Sequence, residues 1–166
     1  MPKPITCAVI ARRRAPAAIA LAALTALAAL ALPALAAATI VVDRGVDRAR
    51  IGMTEHQLRA KLGKADVAER SGSSKSLVYR RRKLVVTLFR GRVQIVSTDA
   101  RKDRTAGGVG PGSTLAALRR HVSGERCGEK VGVYSCKIGS SRRGRRSTVF
   151  LIEHGRVATV SVALTP

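Results

Sequence analysis

Two stretches of the chain alternate apolar and polar residues in nearly the same pattern. The first is LVVTLFRGRVQIVS at 84–97, and the second is TVFLIEHGRVATVS at 148–161. A shift of 64 positions aligns them without a gap and superimposes their glycines. Period-two alternation broken by a glycine, which adopts positive φ without steric cost, is typical of a β-hairpin. The pattern predicts hairpins at 84–98 and 148–162.

A short amphipathic helix is predicted ahead of the first hairpin, in IGMTEHQLRAKLGK. Thr54 and Gln57 have the spacing of a capping box, in which each side chain satisfies a backbone N–H of the other residue. Leu58 and Leu62 share one face, and a glycine follows as a left-handed stop. We therefore predict a helix over 54–62.

The same order of signals begins again at Gly112, with an offset of 60 positions. An N-cap is expected at Ser113 or Thr114, and a stop near Gly124. The apolar stripe comprises Leu115, Leu118 and Val122. These signals predict a second helix over 114–122.

Together the helices and hairpins predict an α+β fold made of two tandem repeats. Each repeat has a short N-terminal helix followed by about three or four antiparallel strands, with repeat 1 over 39–104 and repeat 2 over 105–166. Residues 39–50 are interpreted as a lead-in segment. A unit this small buries too little apolar surface by itself, so we expect the two repeats to share a core by packing their apolar faces together.

The alternation also assigns residues to the faces of each hairpin. If each turn has two residues, one face of the first hairpin comprises Leu84, Val86, Leu88, Val93 and Ile95, and we expect it to meet the helix. The opposite face of the second hairpin is apolar, at Val149, Leu151, Ala158 and Val160. Packing between the repeats would explain that face, and an exposed patch for a protein partner is the alternative.

The first 38 residues have the layout of a secretory signal peptide. A basic segment ending at Arg14 precedes an uncharged Ala- and Leu-rich run to about Leu32, and small-x-small cleavage options follow. The alternative is an uncleaved anchor, since no charge recurs until Asp43 and a membrane span needs roughly 20 apolar residues. Either interpretation predicts export of the folded part, and contact with a membrane is expected only if the leader is retained.

The charge balance is strongly basic. The chain has 31 Lys and Arg against 10 Asp and Glu, a formal net charge of +21. Loss of the leader removes four basic residues and no acid, which leaves 27 basic residues, 10 acids and a net charge of +17. Such a charge promotes contact with anionic polymers or membrane surfaces, and a compositional bias toward arginine is the alternative explanation.

Two clusters of basic residues directly precede the two hairpins. The clusters comprise Arg80, Arg81, Arg82 and Lys83, and Arg142, Arg143, Arg145 and Arg146. The offset of 64 superimposes Arg81 and Arg82 on two arginines of the second cluster. The planar guanidinium group suits carboxylate and phosphate, so we predict two anion-binding turns, with solvated turns that have no partner as the alternative.

Two cysteines follow the leader, Cys127 and Cys136. An even pair nine positions apart in an exported chain favours a local disulfide, worth about 3 kcal/mol in the chain-entropy model. No metal site is predicted, because the pair lacks two further ligands at suitable spacing.

No catalytic constellation is recognised. His56, His121 and His154 are scattered, no serine lies in a nucleophile elbow, and the glycine-rich connector at 107–112 lacks the Lys-Ser/Thr of a phosphate loop. We therefore predict a protein that is not an enzyme and uses no cofactor. The export signal and the scarcity of aromatic residues for base stacking weigh against nucleic acid as a partner.

At IGMT, Leu58, Leu62 and the Val78–Tyr79 pair ahead of LVVTLF, the sequence resembles the SmpA/OmlA outer-membrane lipoprotein group and the related β-lactamase-inhibitory-protein-like domains. The resemblance covers 50–98 and, more loosely, 109–162. It implies a helix packed on an antiparallel sheet, and binding rather than catalysis. The lipid-attachment cysteine of the lipoproteins is absent.

The sequence thus predicts an exported, non-catalytic binding protein of the cell envelope that contacts anionic envelope polymers through its basic turns. The alternative is a protein–protein module, such as an inhibitor of a secreted enzyme.

Overall fold

A computed structural model describes residues 39–165, and the predicted leader at 1–38 lies outside the described residues. Strands account for 48% of this structure and helices for 14%, so the fold is mainly β. The α-helices are α1 (Glu55–Leu62) and α2 (Leu115–His121). Within the same residues, no helix is long and apolar enough to cross a membrane.

The strands form two antiparallel sheets. The small sheet has the order β1 (Ile40–Val41), β2 (Gly45–Val46) and β3 (Ala49–Arg50). The strands of the large sheet are β4 (Val67–Ser71), β5 (Ser74–Tyr79), β6 (Leu84–Phe89), β7 (Arg92–Thr98), β8 (Arg126–Lys130), β9 (Val133–Gly139), β10 (Arg146–Glu153) and β11 (Arg156–Leu164). Their spatial order is β4-β5-β6-β7-β11-β10-β9-β8.

The prediction of an α+β fold made of two tandem repeats, each a helix followed by antiparallel strands and sharing a core with the other, is wrong, because the fold is mainly β and antiparallel throughout the described residues. One continuous eight-stranded sheet runs through the described residues, and β7 pairs with β11 edge to edge. Ser97 is opposite Ser161 in this pairing, and their Oγ atoms are 2.8 Å apart. The pairing satisfies backbone N–H and C=O groups that two separate sheets would leave exposed at their edges.

Residues 39–50 are part of the core rather than a lead-in. Ile40, Val46 and Ala49 of the small sheet are almost fully buried in the same cluster as Leu58 of α1 and Leu118 of α2. The small sheet and the two helices therefore cover the apolar face of the large sheet, which is the surface that the second repeat was expected to cover.

Local signals determine where both helices begin. The Thr54 Oγ1 accepts a hydrogen bond from the Gln57 backbone N–H at 3.2 Å, and the Thr54 N–H donates to the Gln57 Oε1 at 3.0 Å, which is a complete capping box. In α2 the cap is Thr114, whose Oγ1 accepts from the Ala117 N–H at 3.1 Å.

The predicted faces of the hairpins are correct only up to a β-bulge in each. In the first hairpin Thr87 pairs with Ile95, but Leu88 pairs with Val93, so Gln94 is an extra residue. An extra residue reverses the alternation of side chains that follows it. Ile95 is therefore 37% exposed rather than packed against the helix.

The second hairpin contains the same irregularity. Leu151 pairs with Thr159 and Ile152 with Val157, which leaves Ala158 as the extra residue. Val160 is consequently buried in the core rather than on the opposite face, where it was predicted.

The predicted disulfide between Cys127 and Cys136 is confirmed. The two cysteines are directly opposite each other on β8 and β9, and Cys136 is fully buried. The bond therefore joins β8, the last strand in the order of the large sheet, covalently to its neighbour β9.

Candidate functional site

The first basic turn, Arg80–Lys83, connects β5 to β6 through a single turn of 3-10 helix. The Lys83 N–H donates to the Arg80 carbonyl at 3.0 Å, and Lys83 itself has a φ of 50°. The Arg80 N–H donates to the Asp66 Oδ2 at 2.8 Å. These bonds hold the backbone of the turn, while the side chains of Arg80, Arg81 and Lys83 remain exposed.

The 3-10 geometry separates the four basic side chains into two pairs. Arg80 and Lys83 line one depression, and Arg81 and Arg82 line another. Arg80 and Lys83 border a groove of about 440 Å³ on the open face of the large sheet. The rest of its lining comprises Val78, Tyr79, Leu84, Val85, Ser97, Thr98, Asp99 and Thr159.

Arg81 and Arg82 line a second concavity of about 470 Å³, which we call the basic cavity. Its lining comprises Leu62, Lys64, Asp66, Tyr79, Arg81, Arg82 and Lys102. Lys64 follows α1 and Lys102 belongs to the connector after β7, so three separate segments contribute its cations. The sequence analysis did not identify the two lysines, because no repeated spacing links them to the turn at 80–83.

Three of the four cations in the basic cavity form no salt bridge among the described residues. The Arg82 Nη1 lies 2.6 Å from the Asp47 Oδ2 in a salt bridge. Among residues 39–165, neither Lys64, Arg81 nor Lys102 forms an ion pair within 4.0 Å. The one carboxylate in the lining, Asp66, is the acceptor for the Arg80 backbone.

Tyr79 belongs to the lining of both the groove and the basic cavity. Its side chain is only 3% exposed, and its hydroxyl is buried without a hydrogen-bond partner among the described residues. Burial raises the pKa of the Tyr79 hydroxyl, an effect that the nearby positive charge of Arg59 partly opposes. The group therefore stays protonated near neutral pH and can donate a hydrogen bond.

The second basic turn, Arg142–Arg146, connects β9 to β10 and is exposed at all four arginines. The Gly144 N–H donates to the Thr165 carbonyl at 2.9 Å, and the Thr165 N–H donates to the Arg145 carbonyl at 2.7 Å. Arg142 lies beside Arg126 at a depression of about 590 Å³ lined otherwise by residues 139–141. Arg145 and Arg146 line another of about 430 Å³, which also contains Asp43.

The two basic turns lie at opposite ends of the large sheet and do not form one site. Leu84, directly after the first turn, pairs with Thr98, and Thr98 pairs with Val160, the middle residue of β11. Arg146, at the end of the second turn, pairs with Leu164 at the far end of β11. A single small anion therefore contacts only one of the turns.

Half of the acids of the protein are engaged with its own groups. Five of the ten accept a hydrogen bond or form an ion pair: Asp43, Asp47, Glu55, Asp66 and Asp103. Much of the surplus positive charge is therefore left facing solvent.

The histidines are separate from these sites. His56 is exposed on α1, His121 is exposed at the end of α2, and His154 lies in the β10–β11 turn with a φ of 49°. In residues 39–165, no group of three or more His, Cys, Asp and Glu side chains is arranged to hold a metal ion.

Neither a protein-family model nor a curated protein matches this sequence. Two solved structures with a similar chain path are an extracellular SCP-domain protein from Bacillus anthracis (11% identity, TM-score 0.48) and a cysteine-rich secretory protein from Staphylococcus aureus (13%, 0.47). Each aligns with 69% of this chain, which spans 44% of their length. A DUF4309 family protein from Bacillus subtilis aligns with 67% of this chain and 78% of its own, at 11% identity and a TM-score of 0.44. At this level of likeness no function passes to this chain, and the resemblance to SmpA/OmlA proteins stays a prediction.

Proposed function

We propose that this protein is an exported, non-catalytic binding protein of the cell envelope that contacts anionic polymers through its two basic turns. The observation that carries the proposal is the exposure of the basic side chains. Seven of the eight are exposed, and within the described residues only Arg82 has an acidic partner. Guanidinium and ammonium groups that are free of internal partners can each bind a phosphate or carboxylate of an external polymer.

The position of the turns suits a polymer better than a small ligand. Leu84 and Arg146, which adjoin the two turns, are four residues apart along β11 and three strands apart across the sheet, which places them roughly 20 Å apart at about 3.3 Å per residue and 4.8 Å per strand. Two weak contacts with one flexible chain reinforce each other, because the second contact is intramolecular once the first has formed.

Export is supported by the leader-like segment at 1–38 and by the disulfide. Disulfides persist in oxidising compartments and are rare in the cytosol, and the Cys127–Cys136 bond links strands of the folded part.

The proposal is tested by binding of the exported protein to teichoic acid, a phosphodiester polymer, and to polyglutamate, at low and high salt. Arg80→Met/Arg81→Met/Lys83→Met should weaken binding about tenfold or more, since three exposed charge contacts at a few tenths to 1 kcal/mol each are lost. Salt should weaken the wild type strongly, because these contacts are screened.

A matched control removes three exposed charges outside the turns, in Arg44→Met/Arg48→Met/Arg120→Met. Retained binding in this variant supports the turns as the binding surface. An equal loss in both variants would mean that total charge acts without regard to position, and the proposal would be wrong.

A protein–protein module is the second candidate. The open face of the large sheet exposes Val85, Phe89 and Ile95, each by more than a third, and these side chains suit contact with a protein. Capture of one envelope protein that resists high salt and is lost in Ile95→Asp would favour this candidate over polymer binding.

A further inference from the structure

We infer that the basic cavity is a binding site for one phosphate group, either free phosphate or a phosphomonoester. The inference rests on the proposed function for its choice of an anion, and it adds a defined site to the dispersed contacts of the turns. It has three independent supports: the cations come from three separate segments, three of the four have no ion-pair partner among the described residues, and a buried donor has no acceptor.

The cations come from three segments whose backbones are held in place. Lys64 follows Gly63, which has a φ of 82° and whose N–H donates to the Arg59 carbonyl at 2.8 Å. Lys102 lies in a turn closed by the hydrogen bond from the Asp103 N–H to the Ala100 carbonyl at 3.0 Å. The 2.6 Å hydrogen bond from the Thr98 hydroxyl to the buried Asp103 carboxylate also holds this turn to the end of β7. The fold thus keeps like charges near one another, although they repel.

The charge of the lining matches a phosphate group. Lys64, Arg81, Arg82 and Lys102 provide four positive charges, and Asp66 together with Asp47, the partner of Arg82, provides two negative ones. The net charge of +2 would balance the charge of −1.5 to −2 that a phosphomonoester carries near neutral pH. A phosphomonoester also has three acceptor oxygens for donors that approach from several sides, whereas a carboxylate has two in one plane.

Tyr79 supplies a neutral donor in the same lining. Its hydroxyl has no hydrogen-bond partner among the described residues, although it is buried, and buried polar groups are normally paired. A phosphate oxygen in the cavity would accept this hydrogen bond. Arg82 has a different role, because its guanidinium group already forms a salt bridge with Asp47. We expect Arg82 to position the turn rather than to bind phosphate directly.

The test measures thermal unfolding of the wild-type protein during titration with inorganic phosphate at constant ionic strength, with chloride as the replaced anion. The expected result is a saturable rise in Tm. Arg81→Met/Lys102→Met should raise the apparent Kd at least about tenfold. Arg120→Met/Lys130→Met, which removes two exposed charges elsewhere, should leave the Kd within about twofold of wild type.

Tyr79→Phe separates ligand binding from folding. Removal of an unpaired buried hydroxyl should leave the protein at least as stable without phosphate, while the Kd for phosphate rises about threefold or more. A Tyr79→Phe protein that binds phosphate like the wild type would overturn the role of this hydroxyl.

Absence of a saturable Tm rise in the wild type, or an equal loss of affinity in the Arg120→Met/Lys130→Met control, would overturn the site. If polymer binding persists in that case, the proposed function stands without it. Saturable phosphate binding without polymer binding would instead contradict the proposed function, and the phosphate site would still stand. A parallel titration with glycerol phosphate identifies the source, since tighter binding than that of free phosphate indicates a phosphomonoester.

Discussion

At the scale of single residues, left-handed backbone positions determine the turns of the large sheet. The residues before the turn glycines, Arg90, Val131 and His154, have φ values of 49–50°. Two residues with positive φ match the right-handed twist of the strands on either side, as in type I′ turns. Val131 is unusual, because a β-branched residue is rare in this region, and its side chain is fully exposed.

Position 110 requires glycine because no space is left there for a side chain, and not because of its φ angle. A Cβ at this position would overlap the Asp103 carbonyl oxygen and lie 2.8 Å from the Arg104 Nη1. Gly110→Ala should lower the free energy of unfolding by about 1–3 kcal/mol in urea denaturation, since the backbone must shift. In Gly128→Ala the added methyl group meets nothing within 4 Å, and the expected change is within about 0.5 kcal/mol. Equal effects of the two substitutions would contradict the packing at Gly110.

At the scale of elements, each helix start is hydrogen-bonded to a hairpin strand. The Gly52 N–H donates to the Val93 carbonyl at 2.8 Å, and the Gly112 N–H donates to the Val157 carbonyl at 2.7 Å. The helices and hairpins could be predicted because caps, stripes and turns are local signals. Their mutual docking depends on contacts between distant segments. The bulges at Gln94 and Ala158, which exchange the faces, lie within the hairpins but do not show in the alternating pattern of the sequence.

The docking of α1 on β5 includes an ion pair that should be sensitive to pH. The Lys75 Nζ donates to the Glu55 Oε1 at 2.7 Å, and this hydrogen bond lowers the pKa of the Glu55 carboxyl. A lowered pKa in the folded state adds stability above the unfolded value of about 4.3, and this stability is lost as the pH falls through the folded pKa.

Lys75→Met should therefore reduce the free energy of unfolding by about 1 kcal/mol at neutral pH, and the difference should disappear in acid. Unfolding in urea from pH 7 to pH 3 measures both values, with Lys130→Met as an exposed control. If the difference in unfolding free energy between wild type and Lys75→Met stays constant from pH 7 to pH 3, the effect comes from packing of the lysine side chain and not from the ion pair.

At the scale of the whole molecule, the decisive feature is the junction of β7 with β11. It joins eight strands into one sheet, so the apolar face is covered by the small sheet and the helices instead of by a second layer of strands. The same architecture places the basic turns at opposite ends and brings Lys64 and Lys102 to Arg81. The sequence indicates the turn at 80–83 from a run of charges, but not the lysines, which are 17 and 21 positions away from Arg81.

The continuous sheet predicts that the disulfide stabilises the entire fold. Cys127→Ser/Cys136→Ser should lower the free energy of unfolding by about 3 kcal/mol, the value expected for closing a short loop. Because the junction couples both groups of strands, thermal unfolding of wild type and variant should each show one transition. Two separated transitions in the variant, with β8–β11 lost first, would show that the two strand groups unfold independently.

The sequence by itself determined the capping box of the first helix, the positions of the two hairpin turns, the pairing of Cys127 with Cys136 and the basic character of both turns. Each of these depends on residues within about ten positions of one another, where local conformational preference and short-range hydrogen bonds dominate. Only the tertiary structure decided that the strand groups join through their edges, that residues 39–50 enter the core, and which cations surround Tyr79. Those outcomes depend on contacts between residues far apart in the chain, which arise when distant backbone groups compete for partners and distant apolar surfaces compete for burial.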